Sequence, residues 1–410
     1  MKFLFLLFFI AARPPFAGAA PFVIGAMGGP PAAFNTEEIW RVVQQGNFNL
    51  ITNTWQKYDA ASCQIMLTLG NQLGLNVIVH DEQLIKLNPS QPEWKHQLTA
   101  IVANYKNQPG LVGLDISDEP SATDFSRLGK ILRQVQAELP GKIPFINLLP
   151  IVASKEQLGG VSYEQYLEDY IAQVRPPVIS FDIYPEKLEL PAGYKFYENL
   201  EMIRRLGLKY DIPVWAYVKD RPPKDPTAAP PDETSLRWQI FTYLAYGYKG
   251  ILYFTLWSPS EKIKAIIGPD GKPTDLYPDI QKINYDVGNL AKTLVNLTSD
   301  GVYQTGYEIP WGTQALKDDL DFSLEPGTPM TVGSFHDSNG NRYIMIVNRD
   351  RWTKQSQAPI ELYFKNTDHV SEISASDGLE HALPATGINS QYLQVTLQLK
   401  PGEGKLLRYR

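Results

Sequence analysis

Two adjacent carboxylates, Asp118 and Glu119, follow an apolar run and are themselves followed by Pro120. Like charges this close repel each other, and the repulsion tends to raise the pKa of at least one group. A carboxyl group that stays protonated near neutral pH can act as a general acid. The same tripeptide is also typical of an acidic helix N-terminus, with the proline in the first turn. The element that precedes the pair therefore decides between a catalytic and a capping interpretation.

Eight short apolar runs predict eight β-strands before residue 298. The runs cover residues 22–26, 48–54, 75–81, 111–117, 143–149, 178–184, 212–218 and 250–257. Amphipathic stretches with helical spacing, such as 36–46 and 125–139, lie between them. Eight such units indicate an α/β fold, a (β/α)8 TIM barrel, which typically needs about 250 residues. A doubly wound sheet is disfavoured, because residues 25–29 only weakly imitate its glycine-rich first turn.

Catalytic groups of such barrels lie at the C-terminal ends of the strands. Glu119 follows the fourth predicted strand, so the catalytic interpretation is favoured over the helix cap. Alternation along the strands separates inward from outward side chains. It places Val112, Leu114 and Ile116 outward in the fourth strand, and Gly113, Asp115 and Ser117 inward. Elsewhere it turns these residues inward: Asn53, His80, Asn147, Ser180, Asp182, Tyr184, Tyr217, Tyr253 and Trp257.

These inward positions carry more polar groups than a packed barrel core would. Burying an unpaired polar group costs about 1–3 kcal/mol, so the polar lining indicates a site. Trp55 and the inward aromatic residues offer flat faces on which a sugar ring could stack. His80 and Asp81 could form a metal pair, but a hydrogen-bonded lining residue is the favoured interpretation of His80.

The C-terminal quarter of the chain has a different pattern. Short alternating runs at 342–350, 360–365, 393–399 and 405–410 are separated by turn signals. We therefore predict a barrel domain over 20–297 and a β-sandwich domain over 298–410.

The first nineteen residues predict a signal peptide. A positive start at Lys2 precedes a ten-residue apolar run, 3–12, and the small residues 17–19. The run is shorter than the roughly 20 residues that span a bilayer. We expect export to the periplasm or the cell exterior, with an uncleaved anchor as the alternative.

Composition excludes several classes of function. The net charge of −6 comes without a basic stripe, which argues against nucleic-acid binding. The single cysteine, Cys63, excludes an intrachain disulfide and a cysteine zinc site. Phosphate-loop and serine-hydrolase signatures are absent from the sequence. We expect no metal and no cofactor, and the oligomeric state stays open.

Residues 21–297 resemble the (β/α)8 glycoside hydrolases of clan A, which include β-galactosidases, cellulases and agarases. In that clan the fourth strand ends in Asn-Glu, often before Pro, and its Glu is the acid/base; Glu119 occupies the matching position. The resemblance also matches Tyr184 to a tyrosine that supports the nucleophile, and Trp257 to a tryptophan that forms the floor of the sugar site. The clan frequently carries a C-terminal β-sandwich.

Two positions differ from the clan's pattern. Asp118 replaces the Asn that would bind a sugar hydroxyl, and the seventh strand does not end in the nucleophilic Glu. Asp220, Asp182 and Asp115 are the candidates for a second carboxylate. Retaining enzymes separate the two carboxyl groups by about 5 Å and inverting enzymes by about 6.5–9.5 Å, so the stereochemistry stays open.

The resemblance implies an exported glycoside hydrolase that cleaves an oligo- or polysaccharide, with Glu119 as proton donor. Asp182 and Asp220 are the further catalytic candidates. The expected substrate-binding residues are Asp118, Asp115, Asn53, Trp55, His80, Asn147, Tyr184, Tyr217 and Trp257. A non-catalytic carbohydrate-binding protein on a degenerate barrel is the alternative, while a metal-dependent hydrolase is disfavoured because few histidines lie at strand ends.

Overall fold

Eight parallel strands close into a barrel in sequence order. The computed structural model describes residues 21–185, 192–222, 230–325, 327–350, 359–389 and 391–410, so the predicted signal peptide lies outside the described residues. The barrel strands are β1 (Val23–Ala26), β2 (Leu50–Thr52), β3 (Asn76–His80), β4 (Leu111–Asp118), β5 (Ile143–Leu148), β6 (Ile179–Asp182), β7 (Val214–Lys219) and β8 (Gly250–Phe254). The predicted barrel is confirmed.

Helices surround the barrel and follow each strand. They are α1 (Glu37–Gln45), α2 (Ala60–Gln72), α3 (Glu82–Ile85), α4 (Trp94–Ala103), α5 (Phe125–Glu138), α6 (Tyr163–Val174), α7 (Ala192–Tyr210), α8 (Glu233–Ala245) and α9 (Tyr277–Leu294). In α5 the residues Leu128, Ile131, Leu132 and Val135 are buried, which is the i, i+3, i+4, i+7 spacing of a helix with one apolar face. None of the described helices is long and apolar enough to cross a membrane.

The interior of the barrel is apolar toward the N-terminal ends of the strands. Its buried cluster includes Val23, Leu50, Ile78, Ile143, Phe145, Trp215 and Leu252. The inward positions nearer the C-terminal ends are largely polar or aromatic. Apolar side chains thus fill one end of the barrel and leave the other end for a site.

A β-bulge in β4 overturns one predicted orientation. Val77 pairs with Leu111 and Ile78 pairs with Gly113, so Val112 is an extra residue in the strand. Val112 consequently packs against the inner cluster, although alternation predicted it to face the helices. Leu114 and Ile116 do pack with the outer cluster.

The C-terminal part consists of two largely antiparallel sheets, which confirms the predicted β-sandwich. The seven-stranded sheet has the order β10-β9-β12-β13-β19-β15-β16, and the four-stranded sheet has the order β11-β14-β18-β17. The strands are β9 (Thr298–Gln304), β10 (Gln314–Ala315), β11 (Phe322–Leu324), β12 (Met330–His336), β13 (Arg342–Asn348), β14 (Ile360–Lys365), β15 (Val370–Ile373), β16 (Glu380–Ala382), β17 (Ala385–Gly387), β18 (Tyr392–Leu397) and β19 (Gly404–Tyr409).

The sandwich packs against the barrel through α7 and α8. Arg204 forms an ion pair with Glu201 in α7 and donates a hydrogen bond to Ser299 Oγ in β9 at 3.2 Å. Gly333 in β12 lies so close to the carbonyl oxygen of Ala245 that a Cβ atom would not fit. The boundary at residue 298 stays a prediction, although α9 ends at Leu294 and β9 begins at Thr298.

Candidate active site

Glu119 stands at the C-terminal mouth of the barrel, directly after β4. Its side chain is exposed, and its backbone N–H donates to the carbonyl oxygen of Asn147 at 2.9 Å. Its φ angle is 48°, in the left-handed region that residues other than glycine adopt only rarely. Such a conformation persists where surrounding structure fixes it, and it is common at functional sites. The chain thus holds this carboxyl group at the mouth at a cost in backbone energy.

Asn147 in β5 links the carboxylates of the neighbouring strands. Its Nδ2 donates to Oδ1 of Asp182 at 3.1 Å and lies 3.3 Å from Oδ1 of Asp118. Its side-chain oxygen Oδ1 accepts a hydrogen bond from Ser180 Oγ at 3.0 Å. Because β4, β5 and β6 are adjacent, their C-terminal ends bring these side chains into one network with Glu119.

Asp182 and Asp118 are protonated more readily than isolated aspartates. Burial raises the pKa of Asp182 well above its ordinary value, and the charges of Glu119 and Asp118 act in the same direction. A hydrogen bond between Asp182 and Glu119 adds to the shift, because only the protonated form of Asp182 can donate it. The pKa of Asp118 is raised to about 6, first by its position within the concave mouth and then by Asp115 and Glu119. Asp118 is nevertheless accessible to water.

A second network joins β2, β3 and β4. Asp115 Oδ2 accepts hydrogen bonds from Thr54 Oγ1 at 2.7 Å and from His80 Nδ1 at 2.9 Å. Burial alone would lower the pKa of His80, but the hydrogen bond and charge of Asp115, with Glu82 and Asp81, raise it. Thr54 was not among the predicted residues; it lies just past β2, where alternation from Leu50 turns it inward.

Aromatic side chains form one wall of the mouth. Phe254 at the end of β8 stacks on Tyr184, with ring centroids 5.5 Å apart, and meets Trp55 edge-on at 4.9 Å. The guanidinium carbon of Arg221 lies 3.9 Å from the centre of the Phe254 ring. We call Trp55, Tyr184 and Phe254 the aromatic wall. Phe254 was not among the residues predicted from the sequence. It lies two residues after the inward Leu252, so strand alternation would have placed it inward as well.

Trp257, predicted to form the floor of the sugar site, is largely buried at the mouth of the barrel. Only 5% of its surface is exposed, and it packs on Phe34 with ring centroids 4.9 Å apart. It also borders a cavity of about 260 Å³ at the mouth, together with Trp55 and Arg221.

The end of β7 presents a phenol where clan A enzymes carry a carboxylate. Tyr217 is 1% exposed and packs with the inner cluster, and its hydroxyl is buried without a hydrogen-bond partner. The Nζ of Lys219 lies 5.4 Å from the centre of the Tyr184 ring. Over 214–222, the described residues of this strand and its end, Asp220 is the only acidic residue.

Asp220 lies apart from the Glu119 network. It is fully buried, and its charge acts on Tyr253, whose hydroxyl donates to Asn284 Oδ1 in α9 at 2.8 Å. Burial raises its pKa well above the ordinary value, although Arg221 and Lys219 act in the opposite direction. The structure therefore does not bring Asp220 to Glu119 as a second carboxylate.

Two further orientations differ from the sequence prediction. Tyr253 faces α9 rather than the barrel interior, as the bond to Asn284 shows. Asn53 is fully buried, and its side-chain amide pairs with the backbone of His80. The His80 N–H donates to Asn53 Oδ1 at 2.7 Å, and Asn53 Nδ2 donates to the His80 carbonyl oxygen at 3.0 Å. Because Leu50 and Thr54 face inward, Asn53 faces outward and secures β2 to β3.

A larger cavity, of about 710 Å³, opens at the opposite end of the barrel. Its lining includes Val23, Leu50, Val112 and Trp215, which lie toward the N-terminal ends of their strands. Active sites of these barrels lie at the C-terminal face, so the mouth around Glu119 remains the candidate site. In the described part of the chain, no group of three or more His, Cys, Asp or Glu residues is arranged to hold a metal ion.

Comparison with solved structures shows the fold of (β/α)8 glycoside hydrolases. A family 5 glycoside hydrolase from Bacteroides vulgatus is 12% identical, with a TM-score of 0.62 over 95% of this chain and 90% of that one. A family 42 β-galactosidase from G. stearothermophilus is 9% identical, with a TM-score of 0.62 over 95% of this chain and 99% of that one. A family 27 β-L-arabinopyranosidase from Geobacillus stearothermophilus is 9% identical, with a TM-score of 0.54 over 97% of this chain and 98% of that one.

Sequence comparison adds no closer relative. No family model matches the chain, and no curated protein is significantly similar to it.

Proposed function

We propose that this protein is a glycoside hydrolase that cleaves O-glycosidic bonds of an oligo- or polysaccharide, with Glu119 as the proton donor. The observation that carries the proposal is the position of Glu119. Its carboxyl group stands at the C-terminal end of the barrel, held by a left-handed backbone. The fold shared with glycoside hydrolases supports the same assignment.

The mouth supplies the groups that general acid catalysis of this reaction needs. Glu119 is accessible to a glycosidic oxygen, and protonating that oxygen allows the C1–O bond to break. Asp118 and its neighbours supply negative charge, which stabilises the positive charge that develops at C1. The aromatic wall supplies apolar faces for the sugar rings.

The decisive experiment compares the wild type with Glu119→Gln on a library of natural glycans. The substitution keeps the size of the side chain but removes its acid, and loss of a general acid typically costs about 10²–10⁴-fold in rate. Glu38→Gln, at the exposed start of α1, is the matched control and should keep full activity. A folded Glu119→Gln protein that cleaves glycans at the wild-type rate would refute the assignment.

A non-catalytic carbohydrate-binding protein is the second candidate. The observation that favours it is the end of β7, where the described residues place Tyr217 and Lys219 inward instead of a carboxylate. A wild-type protein that binds glycans and releases no product from any of them would support this second candidate.

We also propose that the protein is exported, with residues 1–19 as the signal. The basis is the sequence pattern of a short positive start, an apolar run and small residues. Expression of the full-length chain in a bacterial host, followed by fractionation and N-terminal sequencing, tests it. A protein that stays in the cytoplasm with its first residues intact would contradict export.

A further inference from the structure

The cavity of about 260 Å³ opens at one side of the barrel mouth, and we call it the side cavity. Its lining comes from the segments that follow β1, β2, β7 and β8, and includes Gly28, Trp55, Gln56, Arg221, Trp257 and Ser258. These four strands are consecutive in the closed barrel, and β4 lies on the other side of the ring. A sugar chain that places one glycosidic bond at Glu119 can therefore place a neighbouring sugar residue in the side cavity.

Arg221 gives the side cavity its charge. Among the described residues that line the cavity, it is the only charged one. Its guanidinium carbon lies 3.9 Å from the centre of the Phe254 ring and 5.9 Å from the centre of the Trp55 ring. Contacts with aromatic faces hold a guanidinium in place without using the N–H groups at its edge. The aromatic wall thus fixes a cation beside the side cavity.

Asp220 precedes Arg221 in the chain but does not pair with it. Asp220 is fully buried, and within the described residues neither of its carboxyl oxygens has a hydrogen-bond partner. No hydrogen bond therefore joins it to the guanidinium. The segment 258–272, which contributes Ser258 to the lining, carries three lysines against two acidic residues. This segment therefore adds no net negative charge to the surroundings of Arg221.

The two sides of the mouth carry opposite charges. Asp118, Glu119 and Asp182 belong to the side formed by β4, β5 and β6, whereas Arg221 borders the side cavity. An acidic group of a substrate is attracted to the guanidinium and repelled by the carboxylates, so the side cavity is its favoured position. A guanidinium binds an oxyanion through two parallel N–H donors, which a lysine ammonium cannot reproduce.

From this geometry we infer that the substrate is an acidic glycan, and that Arg221 binds a uronate carboxylate or a sulfate ester of the sugar residue in the side cavity. The inference rests on the proposed hydrolase function and names its substrate class. Glu119 acts on the neighbouring glycosidic bond as proposed above, and Arg221 is a binding residue that sets specificity.

Binding to matched pairs of oligosaccharides tests this specificity. The acidic members are oligosaccharides of polygalacturonate, alginate, glucuronoxylan and a sulfated galactan, and the neutral members are their carboxyl-reduced or desulfated forms. Titration calorimetry uses the Glu119→Gln chain, in which the proposed proton donor is absent. We expect at least one acidic member to bind about tenfold or more tightly than its neutral form, because a charge-assisted bidentate contact contributes at least that much. The pair that shows the preference tells a carboxylate from a sulfate.

Replacing Arg221 should remove the preference. Arg221→Gln keeps most of the stem but removes the charge, so the acidic and neutral members should bind with similar Kd values. Arg221→Lys keeps the charge but not the planar fork, so it should retain a smaller preference. Arg133→Gln, on the exposed face of α5, is the matched control and should keep the full preference. An undiminished preference in Arg221→Gln would overturn the inference.

A second measurement needs no substitution at Arg221. If charge attraction produces the preference, raising NaCl from 50 mM to 500 mM should weaken binding of the acidic member and leave that of the neutral member nearly unchanged, because salt screens charges. If every acidic glycan binds no more tightly than its neutral form at either salt concentration, the inference is wrong even when the Arg221 variants do not fold.

The outcomes also distinguish this inference from the hydrolase function. Cleavage of neutral glycans by the wild type, without any preference for acidic ones, would overturn the inference and leave the hydrolase function intact. Arg221-dependent binding of an acidic glycan that the wild type never cleaves would support the acidic-glycan site and contradict the hydrolase function.

Discussion

Asn147 donates a hydrogen bond from Nδ2 to Oδ1 of Asp182 at 3.1 Å, and the same nitrogen lies 3.3 Å from Oδ1 of Asp118. One neutral amide thus serves two carboxylates of the candidate site. Its hydrogen bonds lower the pKa values of both groups, against the effect of burial. Asn147 therefore positions the carboxylates and keeps them more acidic than they would otherwise be.

Replacing Asn147 should affect both stability and the site. We expect Asn147→Ala to lower the free energy of unfolding by about 1–3 kcal/mol, because it leaves buried polar groups without a partner. The pKa values of Asp118 and Asp182 should rise further, so the acidic limb of the pH–rate profile should move to higher pH. Urea denaturation and kcat/KM against pH measure the two effects.

The exposed Asn296 provides the control for that substitution. Its side chain makes one hydrogen bond, to the carbonyl oxygen of Lys292 at 3.2 Å. Asn296→Ala should leave both the unfolding curve and the pH profile close to wild type. An Asn147→Ala protein that behaves like Asn296→Ala would show that the amide does not hold the carboxylates.

The stability of the protein should depend on pH through Asp118. Its pKa is about 3.8 in an unfolded chain and about 6 in the folded protein. Between these values the folded state binds the proton more tightly, so the stability that Asp118 contributes is complete below about pH 3.8 and is lost as the pH rises through about 6. The free energy of unfolding of the wild type should therefore fall, relative to Asp118→Asn, between pH 4 and pH 7.

Urea denaturation at several pH values across this window tests that dependence. Asp368→Asn replaces an exposed carboxyl group in the sandwich and serves as the control. If the free energies of unfolding of Asp118→Asn and of the wild type differ by a constant amount from pH 4 to pH 7, the pKa of Asp118 is not raised in the folded protein.

Barrel strands were predictable from the sequence because apolar runs bounded by polar residues and turns mark buried strands. The observed strands end no more than one residue beyond the predicted runs, as at Asp118 and Lys219. The short, exposed strands of the sandwich, such as Glu380–Ala382, carry no comparable signal. Their pairing depends on neighbours that are distant in the sequence.

Side-chain orientation was less predictable than strand position. A shift of one residue moves a side chain to the other face of a sheet. The bulge at Val112 produces such a shift, which local alternation cannot reveal. Asn53 was misassigned for another reason, because alternation counted from the inward Leu50 already turns it outward. Asp182 lies in a regular stretch, and Asp115 lies between two register shifts in β4, yet both point inward as alternation predicts.

The contact between barrel and sandwich should be sensitive to a single methyl group. A Cβ at Gly333 would collide with the carbonyl oxygen of Ala245, at the end of α8. We expect Gly333→Ala to lower the free energy of unfolding by about 1–3 kcal/mol, the usual cost of overpacking. Gly387→Ala is the control, because a Cβ there would meet no atom within 4 Å. Equal thermal unfolding midpoints for the two variants would contradict the close packing.

Replacing Phe254, at the end of β8, should have a different effect from replacing Trp257, three residues further on. Phe254 belongs to the aromatic wall, whereas Trp257 is 5% exposed and packs on Phe34. Phe254→Ala should raise KM for glycans more than it lowers kcat, because it removes a stacking face used in both the ground state and the transition state. Trp257→Ala should instead lower the free energy of unfolding by about 3–5 kcal/mol, the usual cost of truncating a buried aromatic side chain.

Steady-state kinetics and thermal unfolding of both variants measure this contrast. Phe254 is only partly buried, so its replacement should cost less stability than that of Trp257. If Trp257→Ala folds as stably as the wild type and loses glycan affinity, then Trp257 rather than Phe254 forms the floor of the sugar site, as the resemblance to clan A implies.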